Sequence, residues 1–110
     1  MAKQINFPYE GRDYCLEFTR KTVQEMERDG FEVSDVQTKP MSAVLTLFAG
    51  AFRANHRGTK RELIEKIYQD MPDKEKLIEK LAEMYNEPIQ TLLEEPEEGS
   101  AKKVSWTASW

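Results

Sequence analysis

Residues 41–52 have the sequence MSAVLTLFAGAF, the longest mostly apolar stretch of the chain. Its apolar side chains cover most of a helical circumference: Met41, Val44, Leu45, Leu47, Phe48, Ala51 and Phe52. A helix that is apolar on nearly all sides is buried, so we predict that it forms the centre of the fold, with Pro40 in its first turn. Gly50 in its middle indicates a close approach by another element. The stretch is too short to span a bilayer.

A β-hairpin is predicted N-terminal to this helix. Two runs in which apolar and polar or small residues alternate flank Glu10-Gly11, which can supply the positive φ angles of a tight turn. The alternating apolar residues are Ile5, Phe7 and Tyr9, then Tyr14, Leu16 and Phe18. Pro8 donates no hydrogen bond, so the first strand should be an edge strand. Because an isolated hairpin is only marginally stable, its aromatic face should pack on helices.

A short helix is predicted between the hairpin and the central helix. Thr19 is a suitable N-cap, and Gly30 is placed to end the helix after Arg28. Residues 31–39 then form a connection to the central helix. The apolar residues expected to hold this helix and its connection to the core are Val23, Met26, Val33 and Val36.

Two more helices are predicted C-terminal to the central one. Thr59 and Glu62 have the spacing of a capping box, and the last helix begins near Asp73 and should kink or pause before Pro88. Their inward-facing residues are Leu63, Ile64, Ile67 and Met71, then Leu77, Ile78, Leu81, Met84 and Tyr85. The expected fold class is α+β: an N-terminal β-hairpin packed on a small bundle of about four α-helices over residues 1–93, with an extended tail over residues 94–110.

Length and composition indicate one soluble domain. A chain of 110 residues can bury roughly 60 to 70% of its extended-chain surface without metals or disulfides. The net charge of −4 offers no overall attraction for nucleic acid or an anionic membrane. The N-terminus lacks the apolar core of a signal peptide, and the single Cys15 cannot form an intramolecular disulfide. We therefore expect the protein to act in a reducing cytoplasm.

The tail differs in composition from the rest of the chain. An acidic run over residues 94–98 is followed by Lys102-Lys103 and by both tryptophans. Val104, Trp106, Ala108 and Trp110 alternate with small polar residues, a pattern that would place both indoles on one face of an extended strand. Such a strand is suited to pairing with the sheet edge of another chain. We interpret the tail as a binding segment; the alternative is a frayed terminus without a role.

The sequence contains no motif typical of catalysis. It has no Gly-rich phosphate loop, nucleophile elbow or HExxH, so we expect no catalytic site, no cofactor and no metal. His56 has no neighbouring Cys and cannot supply a zinc site on its own. The basic stretch from Arg53 to Arg61 suits the C-terminal end of the central helix, with Gly58 ending it. The alternative is a phosphate-contacting patch, although stacking aromatics are missing.

Three segments together resemble one known family. They are residues 5–19 (INFPYEGRDYCLEFT), the helix end Arg28-Asp-Gly-Phe31, and residues 45–56 (LTLFAGAFRANH). Their order and apolar pattern are similar to the tail assembly chaperones of long-tailed (siphovirus-type) bacteriophages and related prophages, over about residues 4–93. The resemblance implies a small α+β domain, without an active site, that binds the tape measure protein during tail assembly in the host cytoplasm. It names the tail tube protein as a further candidate partner and implies that the chaperone is absent from the finished virion.

A chaperone of this kind needs a surface that covers apolar segments of its partner and then releases them. We expect a groove between the last two helices to provide it, with the tail as a second candidate. The predicted partner-binding residues are Tyr68, Met84 and Tyr85 in the groove, and Val104, Trp106 and Trp110 in the tail. Pairing of the tail strand with the hairpin edge of another copy would produce a homo-oligomer.

Other interpretations of the sequence stay open. Genes of the chaperone family often carry a programmed ribosomal slip near their end, and Lys102-Lys103 is where a run of adenines could lie. Two rival functions are a structural or neck component of a phage particle and a small nucleic-acid-binding regulator that uses the stretch from Arg53 to Arg61. The regulator would be retained on DNA with a steep salt dependence, whereas the structural component would stay in purified particles.

Overall fold

The computed structural model describes residues 3–94 and 105–110. Over these residues, an antiparallel two-stranded hairpin precedes five helices: β1 (Ile5–Tyr9), β2 (Arg12–Leu16), α1 (Arg20–Arg28), α2 (Asp35–Thr38), α3 (Pro40–Gly50), α4 (Arg61–Asp70) and α5 (Lys74–Leu93). The predicted α+β class is confirmed, and the one-turn helix α2 lies in the predicted connection. Most of the acidic run, the Lys102-Lys103 pair and Val104 lie outside the described residues.

The hairpin forms as the alternation of apolar residues predicts. Phe7 in β1 lies opposite Tyr14 in β2, and both turn residues have positive φ angles, 47° at Glu10 and 78° at Gly11. Two consecutive positive φ angles match the right-handed twist of the flanking strands. The Tyr14 ring stacks on Phe7 at 5.5 Å and meets Phe52 edge-on at 5.7 Å between ring centroids. The aromatic face of the hairpin therefore packs against the helical part of the chain and holds the hairpin in place.

Both ends of α1 are closed where the sequence predicts. The Thr19 hydroxyl accepts a hydrogen bond from the Thr22 N–H at 3.2 Å, and the Thr22 hydroxyl accepts one from the Thr19 N–H at 2.8 Å. At the other end Gly30 has a φ of 92°. The N–H groups of Gly30 and Phe31 donate to carbonyls in the last turn of α1. These bonds satisfy carbonyls that the end of a helix otherwise leaves free.

Helix α3 is the centre of the fold, as its apolar circumference predicts. It contacts α2, α4 and α5, and the side chains of Leu47 and Phe48 are 0% exposed. Met41 is the exception, because it is 91% exposed. It lies in the first turn of α3, where neighbouring residues are also exposed. Burial of this helix therefore begins at Ala43 rather than at Met41.

Gly50 ends α3 and does not lie in its middle as predicted. The chain continues as tighter turns, in which the Arg53 N–H donates to the Gly50 carbonyl at 3.1 Å. The close approach predicted at Gly50 is confirmed, because a Cβ at this position would overlap the end of the Met26 side chain. Since Met26 belongs to α1 and is 1% exposed, Gly50 allows α1 to pack closely on the end of α3.

The start of α4 and the course of α5 differ from the predictions. The N-cap of α4 is Lys60, without a side-chain cap hydrogen bond. The Thr59 hydroxyl is instead buried without a partner among the described residues, so the predicted capping box does not form. Helix α5 continues past Pro88 to Leu93 and does not pause there. Pro88 is buried, so packing outweighs the backbone hydrogen bond that proline removes. None of the described helices is long and apolar enough to cross a membrane.

Candidate partner-binding surface

The structure does not leave Met84 and Tyr85 free to contact a partner as predicted. Each of these side chains is 2% exposed. The Tyr85 ring meets Phe18 edge-on at 5.2 Å and Phe31 at 5.4 Å between centroids. Tyr68 is partly buried, with its ring 5.4 Å from Phe48. Both α4 and α5 pack on α3, so these three residues mainly stabilise the core.

An apolar groove lies instead between α1 and α5. It consists of two adjacent clefts with volumes of about 370 and 150 Å³, which share Glu27 and Ile89. We call it the α1–α5 groove; its apolar lining residues are Val23, Phe31, Val33, Tyr85, Pro88, Ile89 and Leu92. Tyr85 therefore lines a groove, but on the side of α5 that faces α1. Arg20, Gln24 and Glu27 on α1 are exposed at the rim.

Burial at the floor of this groove affects the Tyr85 hydroxyl. Desolvation raises the pKa of Tyr85, and the negative charge of Glu27 adds to the rise. Both effects favour the neutral phenol over the phenolate. Tyr85 therefore closes the floor of the groove as a nearly buried, neutral side chain near the carboxylate of Glu27.

Two exposed leucines lie at the end of the groove: Leu92 lines it, and Leu93 follows next in the chain. Leu92 is 65% exposed and Leu93 is 79% exposed at the end of α5. The sequence did not mark either of them as a binding residue. A signal was present, because Tyr85, Pro88, Ile89 and Leu92 recur at helical spacing. That signal could not show that the end of the apolar stripe stays open to solvent.

The tail contributes two exposed aromatic residues. Trp106 is 79% exposed and Trp110 is 103% exposed. Residues 105–110 form no regular secondary structure, so the predicted strand is not present in the isolated chain. The indoles are accessible, and Val104 lies outside the described residues. Exposed indoles are suited to burial against a partner, because each offers a large apolar surface.

The basic stretch holds α1 against the segment after α3. Arg57 contacts Glu25 at 2.9 Å, and Arg53 contacts Asp29 at 3.2 Å. The hydrogen bond from Arg57, followed by the positive charges of Arg57 and Arg53, lowers the pKa of Glu25 despite partial desolvation. Two of the cations in the proposed phosphate-contacting patch are therefore already paired, with Glu25 of α1 and with Asp29 directly after it.

Cys15, Asn55 and His56 lie together at the outer edge of β2. The Cys15 N–H donates to His56 Nε2 at 3.0 Å, and Asn55 Nδ2 donates to the Cys15 carbonyl at 3.1 Å. Burial, together with the charge of Glu17, raises the pKa of the Cys15 thiol. A reactive cysteine needs a lowered pKa and a base at its sulfur. Here the imidazole instead binds the backbone, so the cluster closes the edge of a strand.

Within residues 3–94 and 105–110, no group of three or more His, Cys, Asp or Glu residues is placed to hold a metal ion.

A comparison with family models gives one finding: the model described as "Domain of unknown function (DUF5055)" matches residues 1–110. No curated protein and no solved structure matches the chain.

Proposed function

The chain belongs to the DUF5055 family, and we propose that it is a phage or prophage tail assembly chaperone that binds the tape measure protein during tail morphogenesis. One observation carries this proposal: the α1–α5 groove is lined at its end by Leu92, and Leu92 and its neighbour Leu93 are both exposed at the end of α5. Contiguous exposed apolar surface on a small domain is typical of a protein-binding site. The groove replaces the site between the last two helices that the sequence predicted.

The shape of the groove suits a helical partner. It runs between two helices and has apolar residues along its floor, the arrangement that receives the apolar face of an amphipathic helix. A tape measure protein is expected to be long and helical and to expose apolar surface before the tail tube encloses it. Covering that surface would keep it from aggregating in the host cytoplasm. An open groove also permits the release that tail assembly requires.

The resemblance in sequence supports the same function. It covers about residues 4–93 and is carried by the hairpin, the end of α1 and the segment 45–56, all of which contribute residues to the core. The proposal assigns the tail tube protein as a second candidate partner. In this function the protein is an assembly factor and is absent from purified particles, which separates it from a structural or neck component.

The test is co-expression with a phage tape measure protein. We expect the native chain to keep the tape measure protein soluble and to co-purify with it. The double variant Leu92→Glu/Leu93→Glu should lose at least tenfold in affinity, because burying one leucine contributes about 1.5–3 kcal/mol and about 1.4 kcal/mol corresponds to tenfold. Both leucines are exposed, so the fold should be unchanged.

Met41→Glu is the matched control, because Met41 is another exposed large apolar residue but lies at the start of α3. It should bind the tape measure protein like the native chain. If the leucine variant binds as well as the control, the groove is not the binding site. If the native chain retains no tape measure protein at all, the proposed function is wrong.

A further inference from the structure

Within the described residues, one outer edge of the hairpin is closed. The Cys15 N–H and carbonyl in β2 are bonded by the side chains of His56 and Asn55. Just beyond the strand, the Glu17 N–H donates to the Ala51 carbonyl at 3.1 Å. The segment after α3 thus takes the place of a neighbouring strand. Another chain could not pair with β2 without displacing these groups.

The other outer edge, on β1, is open. Asn6 lies opposite Cys15, and the backbone groups of Cys15 point away from β1 because they bind His56 and Asn55. In an antiparallel pair, facing residues point their backbone groups in opposite outward directions when they do not bond each other. The Asn6 N–H and carbonyl therefore face outward, and the hydrogen bonds found among the described residues include none to them. Pro8, at the next outward position, has only a carbonyl to offer. The open part of the edge around Asn6 is a template for another strand.

The apolar face of the hairpin is also incomplete along β1. On β2, Tyr14 is 4% exposed and Leu16 is 0% exposed. The corresponding residues of β1 are only partly buried, and they are Ile5, Phe7 and Tyr9. A third strand next to β1 would cover their outer sides if it carried apolar residues at every second position. The tail has such a pattern in Trp106, Ala108 and Trp110.

We propose that residues 105–110 of a second copy add a third strand to β1, and that the exchange is reciprocal, so that the chain forms a homodimer. Each strand would place its indoles beside the partly buried residues of β1. An indole side chain buries about 150–250 Å², so four indoles supply about 600–1,000 Å² of the about 1,200–2,000 Å² that stable interfaces bury. A two-fold exchange also closes both open edges.

This use of the tail does not depend on the proposed function, because β1 and the α1–α5 groove are different surfaces. The test compares molar mass by sedimentation velocity for two pairs of variants. Asn6→Pro removes the outward N–H, whereas Asn6→Ala keeps it. Trp106→Ala/Trp110→Ala removes both indoles, whereas Ser105→Ala/Ser109→Ala changes neighbouring residues of the tail only. The native chain and the two controls should be dimers.

The Trp variant should raise the dissociation constant of the dimer about 30-fold or more, the usual effect of losing central aromatic contacts. Asn6→Pro should also raise it, because the edge loses its outward hydrogen-bond donor. A mixture of the two should form a heterodimer weaker than the native dimer but stronger than either variant alone, because the tail of the Asn6→Pro chain can still pair with the open edge of the Trp-free chain. Circular dichroism checks that Asn6→Pro folds. The Trp variant tests the proposal without altering the hairpin.

Tryptophan fluorescence distinguishes the dimer from docking within one chain, because the only two tryptophans lie in the tail. In a dimer, the blue shift of the emission should increase with protein concentration. A monomeric native chain would overturn the proposal. So would a blue shift that is independent of concentration but abolished by Asn6→Pro, because the tail would then bind its own β1. A dimer that survives loss of both indoles would also contradict it.

Discussion

The hydrogen bond between Tyr9 and Asp70 joins the hairpin to the end of α4. The Tyr9 hydroxyl donates to Asp70 Oδ2 at 2.7 Å. This bond, followed by desolvation and by the negative charges of Asp70 and Glu10, raises the pKa of Tyr9 from 10.0 to about 12. All of these effects favour the neutral phenol. The sequence did not indicate the pair, because the two residues are far apart along the chain.

We predict that Asp70→Asn returns the pKa of Tyr9 towards 10.0, because it removes both the carboxylate acceptor and its charge. The measurement is an NMR titration of the Tyr9 ring. Because the pKa of Tyr9 is raised in the folded protein, the hydrogen bond stabilises the fold only while the Tyr9 hydroxyl is protonated. The contribution of the bond is fully present below pH 10.0 and is lost as the pH rises towards about 12.

Asp13→Asn is the control, because Asp13 is an exposed carboxylate of the hairpin that does not bond Tyr9. It should leave the Tyr9 titration close to about 12. An equal drop of the Tyr9 pKa in both variants would show that the net negative charge of the surroundings, rather than the hydrogen bond, controls the ionisation of Tyr9.

At the scale of the elements, the edge of β2 depends on one imidazole. His56 Nε2 accepts the Cys15 N–H, so the neutral ring carries its proton on Nδ1. We predict that His56→Ala lowers the free energy of unfolding by about 1–3 kcal/mol, because it leaves a partly buried backbone donor without a partner. Urea unfolding measures the loss. Faster hydrogen exchange at the Cys15 amide should accompany it.

His56→Gln is the matched comparison, because its amide oxygen can accept the same hydrogen bond. It should recover part of the stability and part of the amide protection. If the His56→Gln and His56→Ala variants are equally destabilised, the loss of stability comes from lost packing of the imidazole ring against Tyr14. The two ring centroids are 5.0 Å apart.

The elements themselves were largely predictable, and their ends less so. The hairpin turn and the N-cap of α1 depend on residues that are neighbours in the sequence, and both were predicted. The predicted start of α4 was wrong, because the Thr59 hydroxyl is buried instead of capping the helix. Of the kink or pause predicted before Pro88, the pause does not occur, because α5 is held by its contacts with α1 and α3. At both positions, packing between residues that are distant in the sequence outweighed the local sequence signal.

At the scale of the whole molecule, the core depends on α3. The Phe48 ring meets Phe52 at 5.2 Å and Tyr68 at 5.4 Å between centroids. We predict that Phe48→Ala lowers the free energy of unfolding by about 3–5 kcal/mol, as expected for removing a buried aromatic ring. Urea unfolding followed by circular dichroism and by NMR signals of the hairpin should show one shared transition.

Leu93→Ala is the control, because Leu93 is a large apolar residue that is 79% exposed. Its unfolding should match that of the native chain. If Phe48→Ala unfolds the helices while the hairpin signals persist, the hairpin and the helices do not form one cooperative unit.

The candidate site was less predictable than the fold. Met84 and Tyr85 lie three and four residues after Leu81 and continue the apolar face of α5, and the sequence assigned that face to a partner. In the structure the face is filled by residues distant in sequence, such as Phe18 and Phe31 against Tyr85. The exposed indoles of the tail were predicted as candidates, but their partner stays a prediction.

Hydrophobic periodicity and local turn chemistry were enough to establish an α+β domain with a buried central helix, because both act between residues close in the chain. Periodicity did not establish which apolar surfaces of the molecule stay exposed. Leu81 and Leu92 are both leucines of α5, yet one is 0% and the other 65% exposed. Exposure depends on which elements lie opposite, and long-range packing alone sets that arrangement.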